Sequence, residues 1–124
     1  MKSLNKVMLI GHLGADLDLR QTKEGLSVAS FPIAINRNIQ ADEGKTETVD
    51  YHRVVVFGKF ADICSKYLAK GIAVYVEGKL VNRSYEDKDK NKQYKTEIVA
   101  DNINFLTFKK GKDGKKEIEL EQIN

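Results

Sequence analysis

The sequence predicts an all-β domain, a five-stranded Greek-key barrel with one short helix between its third and fourth strands. Three features carry the prediction. Five stretches read as strands, and in those at Tyr51–Lys59 and Ile72–Tyr85 the side chains sort into an apolar face and a face of rings and charges at period 2. One stretch alone carries helical spacing. Short polar segments, most of them containing glycine, punctuate the chain between these stretches.

Leu4 to Leu13 reads as the first strand. Met8 and Ile10 point one way and Val7 and Leu9 the other, so both faces are expected to be largely buried. Gly11 and Gly14 sit where a bend would curl a sheet. Thr22-Lys23-Glu24-Gly25 is a turn signal, and the second strand runs from about Leu26 to Arg37 with Phe31, Ile33 and Ile35 on one face. Pro32 donates no ladder hydrogen bond, which predicts an edge position or a bulge. Gln40 to Thr48 is polar, contains Gly44, and reads as a loop.

The third strand is Tyr51 to Lys59. After it, Phe60, Ile63, Cys64, Tyr67 and Leu68 form a single apolar stripe at helical spacing, and Gly71 is placed to end that helix. The fourth strand, Ile72 to Tyr85, turns Ile72, Val74, Val76 and Leu80 one way and Tyr75, Glu77, Lys79, Val81, Arg83 and Tyr85 the other. Glu86 to Gln93 is a charged hairpin loop, and Tyr94 to about Phe108 is the fifth strand. This order of elements is that of the OB-fold, a small barrel that binds oligonucleotides.

At 124 residues, with 31% charged and 41% hydrophobic side chains, the chain has the size and composition of one globular domain. We read residues 1–108 as the barrel and 109–124 as a short charged tail. No apolar run approaches the length of a membrane span, so no membrane partner is expected. The one cysteine, Cys64, forms no internal disulfide and lies in the helix stripe, consistent with a reducing cytoplasm and with burial as a small hydrophobe. Net charge is only +3, of which the tail contributes +1 (five Lys against one Asp and three Glu), so any attraction for a polyanion must come from local clustering. Within the tail, Glu117 to Asn124 alternates Glu with Ile118 and Leu120. An added strand, an acidic docking segment and frayed chain all fit that pattern.

The most informative stretch is Tyr51-His52-Arg53-Val54-Val55-Val56-Phe57-Gly58-Lys59. One side of this strand carries Tyr51, Arg53, Val55, Phe57 and Lys59, mixing flat rings with long cations. The fourth strand repeats the pattern. Rings and cations together suit single-stranded nucleic acid, whose backbone wants positive charge and whose bases want π-surfaces. Gly58-Lys59 is no phosphate loop, because the upstream glycine and the downstream Ser or Thr are missing. His12 and His52 are the only histidines an acid–base enzyme would have, and nothing in the sequence places them together. No cofactor or metal is called for.

The motifs Asn5-Lys6-Val7, Gly11-His12-Leu13-Gly14, Tyr51 to Lys59, Tyr67-Leu68-Ala69-Lys70-Gly71 and Val74-Tyr75-Val76-Glu77-Gly78 together resemble bacterial single-stranded DNA-binding protein, in register over roughly residues 4–101. The resemblance implies an OB-fold, usually a homotetramer. It implies binding and protection of single-stranded DNA, without sequence preference, in replication, recombination and repair at the cytoplasmic nucleoid. No catalysis is implied. It assigns base stacking to Tyr51, Phe57 and Tyr85. We assign phosphate contacts, as a group, to Lys6, Arg20, Arg37, Arg53, Lys59, Lys70, Lys79 and Arg83. His52 and Tyr75 fall at subunit contacts. The sequence departs from the family in having no Trp, and Ile39 stands near a further stacking position. The acidic Pro-Phe tip through which that family recruits replication and repair proteins has no counterpart in Glu117–Asn124. An OB-fold RNA binder and a primosomal-type adaptor between DNA and protein are the nearest alternatives.

Overall fold

Val54 and Val56 are fully buried, as are Ala29 and Ile33 on the neighbouring strand and Val74 and Val76 further round. These residues alternate with outward-facing ones, which puts one side of a single closed sheet in the core of a barrel. The structure is a computed structural model and describes residues 2–41, 44–107 and 122–123. Its elements are β1 (Val7–Leu13), β2 (Asp18–Gln21), β3 (Ser27–Ala41), β4 (Gly44–Phe57), α1 (Lys59–Tyr67), β5 (Ala73–Glu86), β6 (Lys92–Phe105) and β7 (Gln122–Ile123).

The strands run in the order β1-β5-β6-β4-β3, and β1 pairs again with β3 at His12–Ala34 and Leu13–Ile33, which closes the ring. The β4–β6 pairing is parallel, and the other pairings are antiparallel. This five-stranded closed barrel with one helix between β4 and β5 is the predicted OB-fold. α1 contributes Ala61 and Cys64 to the core, and Leu68 joins them just past its end.

Several local expectations change. The stretch Gln40 to Thr48 is not an open loop: β3 and β4 stay paired out to Ala41–Gly44, forming a long hairpin beyond the barrel. Asn36 to Ile39, Thr46, Glu47 and Val49 are exposed, so this part of the hairpin needs no apolar pattern. β2 was not predicted. Its four residues are all exposed and lack apolar alternation, and it is held by pairing with Ser27–Ser30 of β3. Met8 and Ile10 are exposed rather than buried, since only the Val7 and Leu9 side of β1 faces the core. Leu80, with the parity of Val74 and Val76, is exposed because it lies past the rim. The helix stripe centres on Ala61, Cys64 and Leu68, leaving Ile63 outside. The helix ends at Tyr67 with Leu68 extended, so Gly71 (φ 90°) serves the following turn rather than the cap.

Two expectations have a clear physical basis in the structure. Pro32 falls where β3 exchanges β2 for β1 as its neighbour, and its carbonyl accepts the N–H of Gly14. A residue's N and O point to the same side of an extended strand, so the missing N–H faces the gap between ladders. The predicted turn is closed by the Gly25 N–H donating to the Thr22 carbonyl and the Leu26 N–H donating to Thr22 Oγ1. The β5–β6 ladder shifts register between Glu77 and Gly78, where Asp101 is the unpaired extra residue of β6 and a Cβ on Gly78 would collide with the Val99 carbonyl oxygen. Gln122 and Ile123 pair with Asn104 and Ile103, as the added-strand alternative requires, while the rest of the predicted tail lies outside the described residues.

Candidate nucleic-acid interface

Register fixes which side chains share the outside of the barrel. Residues directly opposite in a ladder lie on one side of the sheet. Phe57 is opposite Val28, which is opposite Arg20. One step along, Asp18, Ser30, Val55, Val99 and Lys79 form a row across five strands. Next comes Arg53, opposite Pro32, and then Tyr51, opposite Ala34. On β5 the same side carries Val81, Arg83 and Tyr85. The alternation of β4 and β5 thus converges on one surface.

Three rings on this surface are open to solvent. Tyr51 is 63% exposed, Phe57 46% and Tyr85 48%. Such exposure is unusual for rings that only fill a core. Lys95 Nζ lies 5.8 Å from the centre of the Tyr85 ring. A cleft of about 410 Å³ opens beside the rings, lined by Arg20, Arg53 and Arg83 together with Asp18, Val28 and Ser30. Arg20 Nε donates to Asp18 at 3.0 Å. Arg53 Nε and Arg83 Nη2 both donate to one oxygen of Glu97, at 2.6 and 2.9 Å. Glu97 is 4% exposed and no motif in the sequence singled it out. Its signal, visible only once strands are paired, is an acidic residue on the strand between two arginine-bearing ones.

The predicted basic group does not assemble in one place. Arg20, Arg53, Lys79 and Arg83 share the ring surface. Lys59, at the start of α1, and Lys70, just after it, are exposed at the helix end of the barrel; the Lys70 backbone N–H donates to Asp16. Arg37 lies on the reverse side of the β3–β4 hairpin, donating from Nε and Nη2 to Asp50 at 2.8 and 3.3 Å. That guanidinium holds the Asp50 carboxyl below the usual carboxylate range. Lys6 pairs with Glu77, which also accepts the Tyr75 hydroxyl at 2.6 Å.

This Lys6–Glu77–Tyr75 group belongs to a second surface with Met8 and Ile10, which are 64% and 66% exposed. Asn102 and Asn104, opposite Glu77 and Tyr75, keep buried side-chain oxygens that accept no hydrogen bond among the described residues. Tyr75 thus stands on a mixed surface, where exposed Met8 and Ile10 lie beside the Lys6–Glu77 pair and two Asn side chains. His52 is exposed, on the side of β4 opposite Tyr51. The histidines lie on opposite sides of the sheet: His12 shares its side with Ala34 and Tyr51, His52 with Ile33 and Val54. Tyr94 is exposed on the side of β6 opposite the cleft.

A closed five-stranded barrel whose outer side offers rings beside guanidinium groups is an oligonucleotide-binding barrel. The chain belongs to the single-strand binding protein family, whose family model, described as "Single-strand binding protein family", matches residues 4–106. It is 47% identical over 110 residues to Single-stranded DNA-binding protein 1 of Chlorobaculum tepidum, covering 87% of this chain and 68% of that one. It is 40% identical over 120 residues to the Single-stranded DNA-binding protein of Staphylococcus aureus, covering 97% and 76%. Among solved structures, it resembles the Plasmodium falciparum SSB in complex with ssDNA, with a TM-score of 0.77 and 35% identity over 86% of this chain and 98% of that one. A deletion mutant of the Thermus aquaticus single-stranded DNA binding protein matches with a TM-score of 0.72 and 33% identity over 84% of this chain and 51% of that one.

Proposed function

We propose that this chain binds and protects single-stranded DNA without sequence preference, by stacking bases on Tyr51, Phe57 and Tyr85 and neutralising phosphates with Arg20, Arg53, Lys79 and Arg83. The observation that carries the reading is the convergence of three exposed rings and a guanidinium-lined cleft on one side of one barrel. Rings accept any base because every base has a π-face, and cations on the backbone path release counterions. The family membership and the likeness to a barrel solved with ssDNA support the same ligand. Such strands arise in replication, recombination and repair, and the nucleoid is where this chain would meet them.

The working unit in this reading is a homotetramer. The Met8, Ile10 and Tyr75 surface supports assembly: it exposes two large apolar side chains, it holds two Asn oxygens with no partner among the described residues, and residues 7–11 of β1 pair with β5 alone among those residues. Several barrels on one strand raise effective affinity without new contacts. The test is a titration of oligo(dT) of increasing length against affinity, followed by tyrosine quenching and run beside a solution mass. Competition with RNA and duplex completes it. Preference for oligo(dT) that weakens with salt, and a mass of four chains, are expected. Equal affinity for duplex, or no quenching, would refute the reading.

A further inference from the structure

We infer that Glu97 is a positioning residue of the cleft: its buried carboxylate holds Arg53 and Arg83 together, and its loss weakens binding of a polyanion even though it removes a negative charge. The inference rests on the single-strand reading above.

An acidic side chain in the middle of a polyanion site is paradoxical on charge counting alone. The geometry resolves the paradox. β6 lies between β4 and β5, and Val55 is level with Val99 while Val81 is opposite Glu97. Arg53 is therefore beside Glu97 on one flank and Arg83 is its diagonal neighbour on the other. Glu97 is 4% exposed, whereas the two guanidinium side chains are half-open, at 44% and 60%. A buried carboxylate survives only with partners, and here it has two, both on Oε2. Each arginine has five N–H donors and commits one of them among the described residues. The remaining donors stay free for phosphate oxygens, with part of the rotamer freedom already given up before the ligand arrives. Two free arginines would instead be ordered during binding, and would repel one another as they converged.

The opposing role, a mere counter-charge that competes with phosphate, predicts the opposite sign. Glu97→Gln keeps the shape and drops the charge. If Glu97 positions, this variant binds oligo(dT) roughly 5- to 100-fold more weakly, the ordering cost of two long side chains. Its slope of log affinity against log salt also shrinks, by about 0.7 for each phosphate that is no longer neutralised. If Glu97 only competes, affinity rises or holds and the slope does not shrink, which overturns the inference. Glu97→Asp serves as the second variant, and carries the test if Glu97→Gln does not fold. It keeps the charge and shortens the reach, so positioning predicts weaker binding and a counter-charge predicts none. In an Arg53→Lys/Arg83→Lys background the positioning role predicts no further loss from Glu97→Gln, and a further loss of the original size overturns it. Failure of the unmodified chain to bind oligo(dT) would instead defeat the single-strand reading.

Discussion

The ring of Tyr51 lies directly over Gly14: a Cβ built on Gly14 would stand 2.8 Å from Tyr51 Cε1 and 3.0 Å from Cδ1. Gly14 follows β1 and its N–H donates to the Pro32 carbonyl, so its backbone is fixed by the ladder and cannot retreat. Any side chain there must push the ring away. Gly14→Ala is expected to leave the barrel folded, because Tyr51 is exposed and free to move, and to lower oligo(dT) affinity by shifting a stacking platform. Thermal melting beside a fluorescence titration checks both halves.

Removing rings outright should cost more. Stacking one base on an aromatic is worth about 1–3 kcal/mol. Phe57→Ala and Tyr51→Ala are each expected to weaken binding by that amount, with little change in melting temperature, since the two side chains are 46% and 63% exposed. Tyr51→Trp is expected to tighten binding through a larger face. Equal affinity for Phe57→Ala would remove that ring from the site.

The barrel was legible in the sequence because its core residues alternate in strands that are buried on one face, as Val54, Val56, Val74 and Val76 do. What escaped reading depends on pairing rather than on pattern. β2 exists because β3 offers it a ladder, not because Asp-Leu-Arg-Gln favours a strand. Met8 and Ile10 look like core by their apolar character, and only the closed ring shows which side of β1 is inside. The site divided in the same way. Tyr51, Arg53 and Phe57 lie on one strand at alternate positions, so period 2 alone groups them. Glu97 joins Arg53 and Arg83 only across three strands, and Gly14 meets Tyr51 only across the closure.

The Lys6–Glu77–Tyr75 group sets a pH dependence. The Lys6 ammonium, and then the Tyr75 hydroxyl, hold the Glu77 carboxyl below its ordinary value of 4.5. Glu77 in turn raises Lys6 above 10.5. A depressed carboxyl stabilises the fold above its unfolded pKa and loses that contribution as pH falls through the folded one. A raised ammonium stabilises below its unfolded pKa and loses the contribution as pH rises through the folded one. The melting-temperature difference between the native chain and Glu77→Gln should therefore be flat from about pH 5 to about pH 10 and shrink beyond both ends. A difference that stays constant into acid would show that Glu77 gains nothing from its neighbours.

Cys64 is fully buried among the helix and barrel core, and burial pushes its thiol up to about 12. The thiolate is the reactive form, so a thiol reagent at mildly alkaline pH should leave the native chain unmodified and label it fully in denaturant. Cys64→Ala should lower stability by about 1 kcal/mol or somewhat more, as a small cavity does, without altering DNA affinity. Labelling that keeps pace with a free thiol would mean that α1 opens readily.

Arg37 and Arg83 are alike in charge and differ in place. Arg37 sits on the reverse of the β3–β4 hairpin with both a short and a longer bond to Asp50, so its charge is matched by an exposed carboxylate on the same hairpin. Arg83 shares a carboxylate with Arg53, which leaves one positive charge of that trio unmatched among the described residues, beside the rings. Phosphate follows unmatched charge. Arg83→Ala should therefore weaken oligo(dT) binding severalfold and flatten its salt dependence by about 0.7. Arg37→Ala should change affinity much less on an oligomer short enough to occupy one barrel. If a long strand wraps past the hairpin, Arg37→Ala will begin to matter only above a threshold length, and comparing the two variants across oligo(dT) lengths separates the inner contact from the outer one.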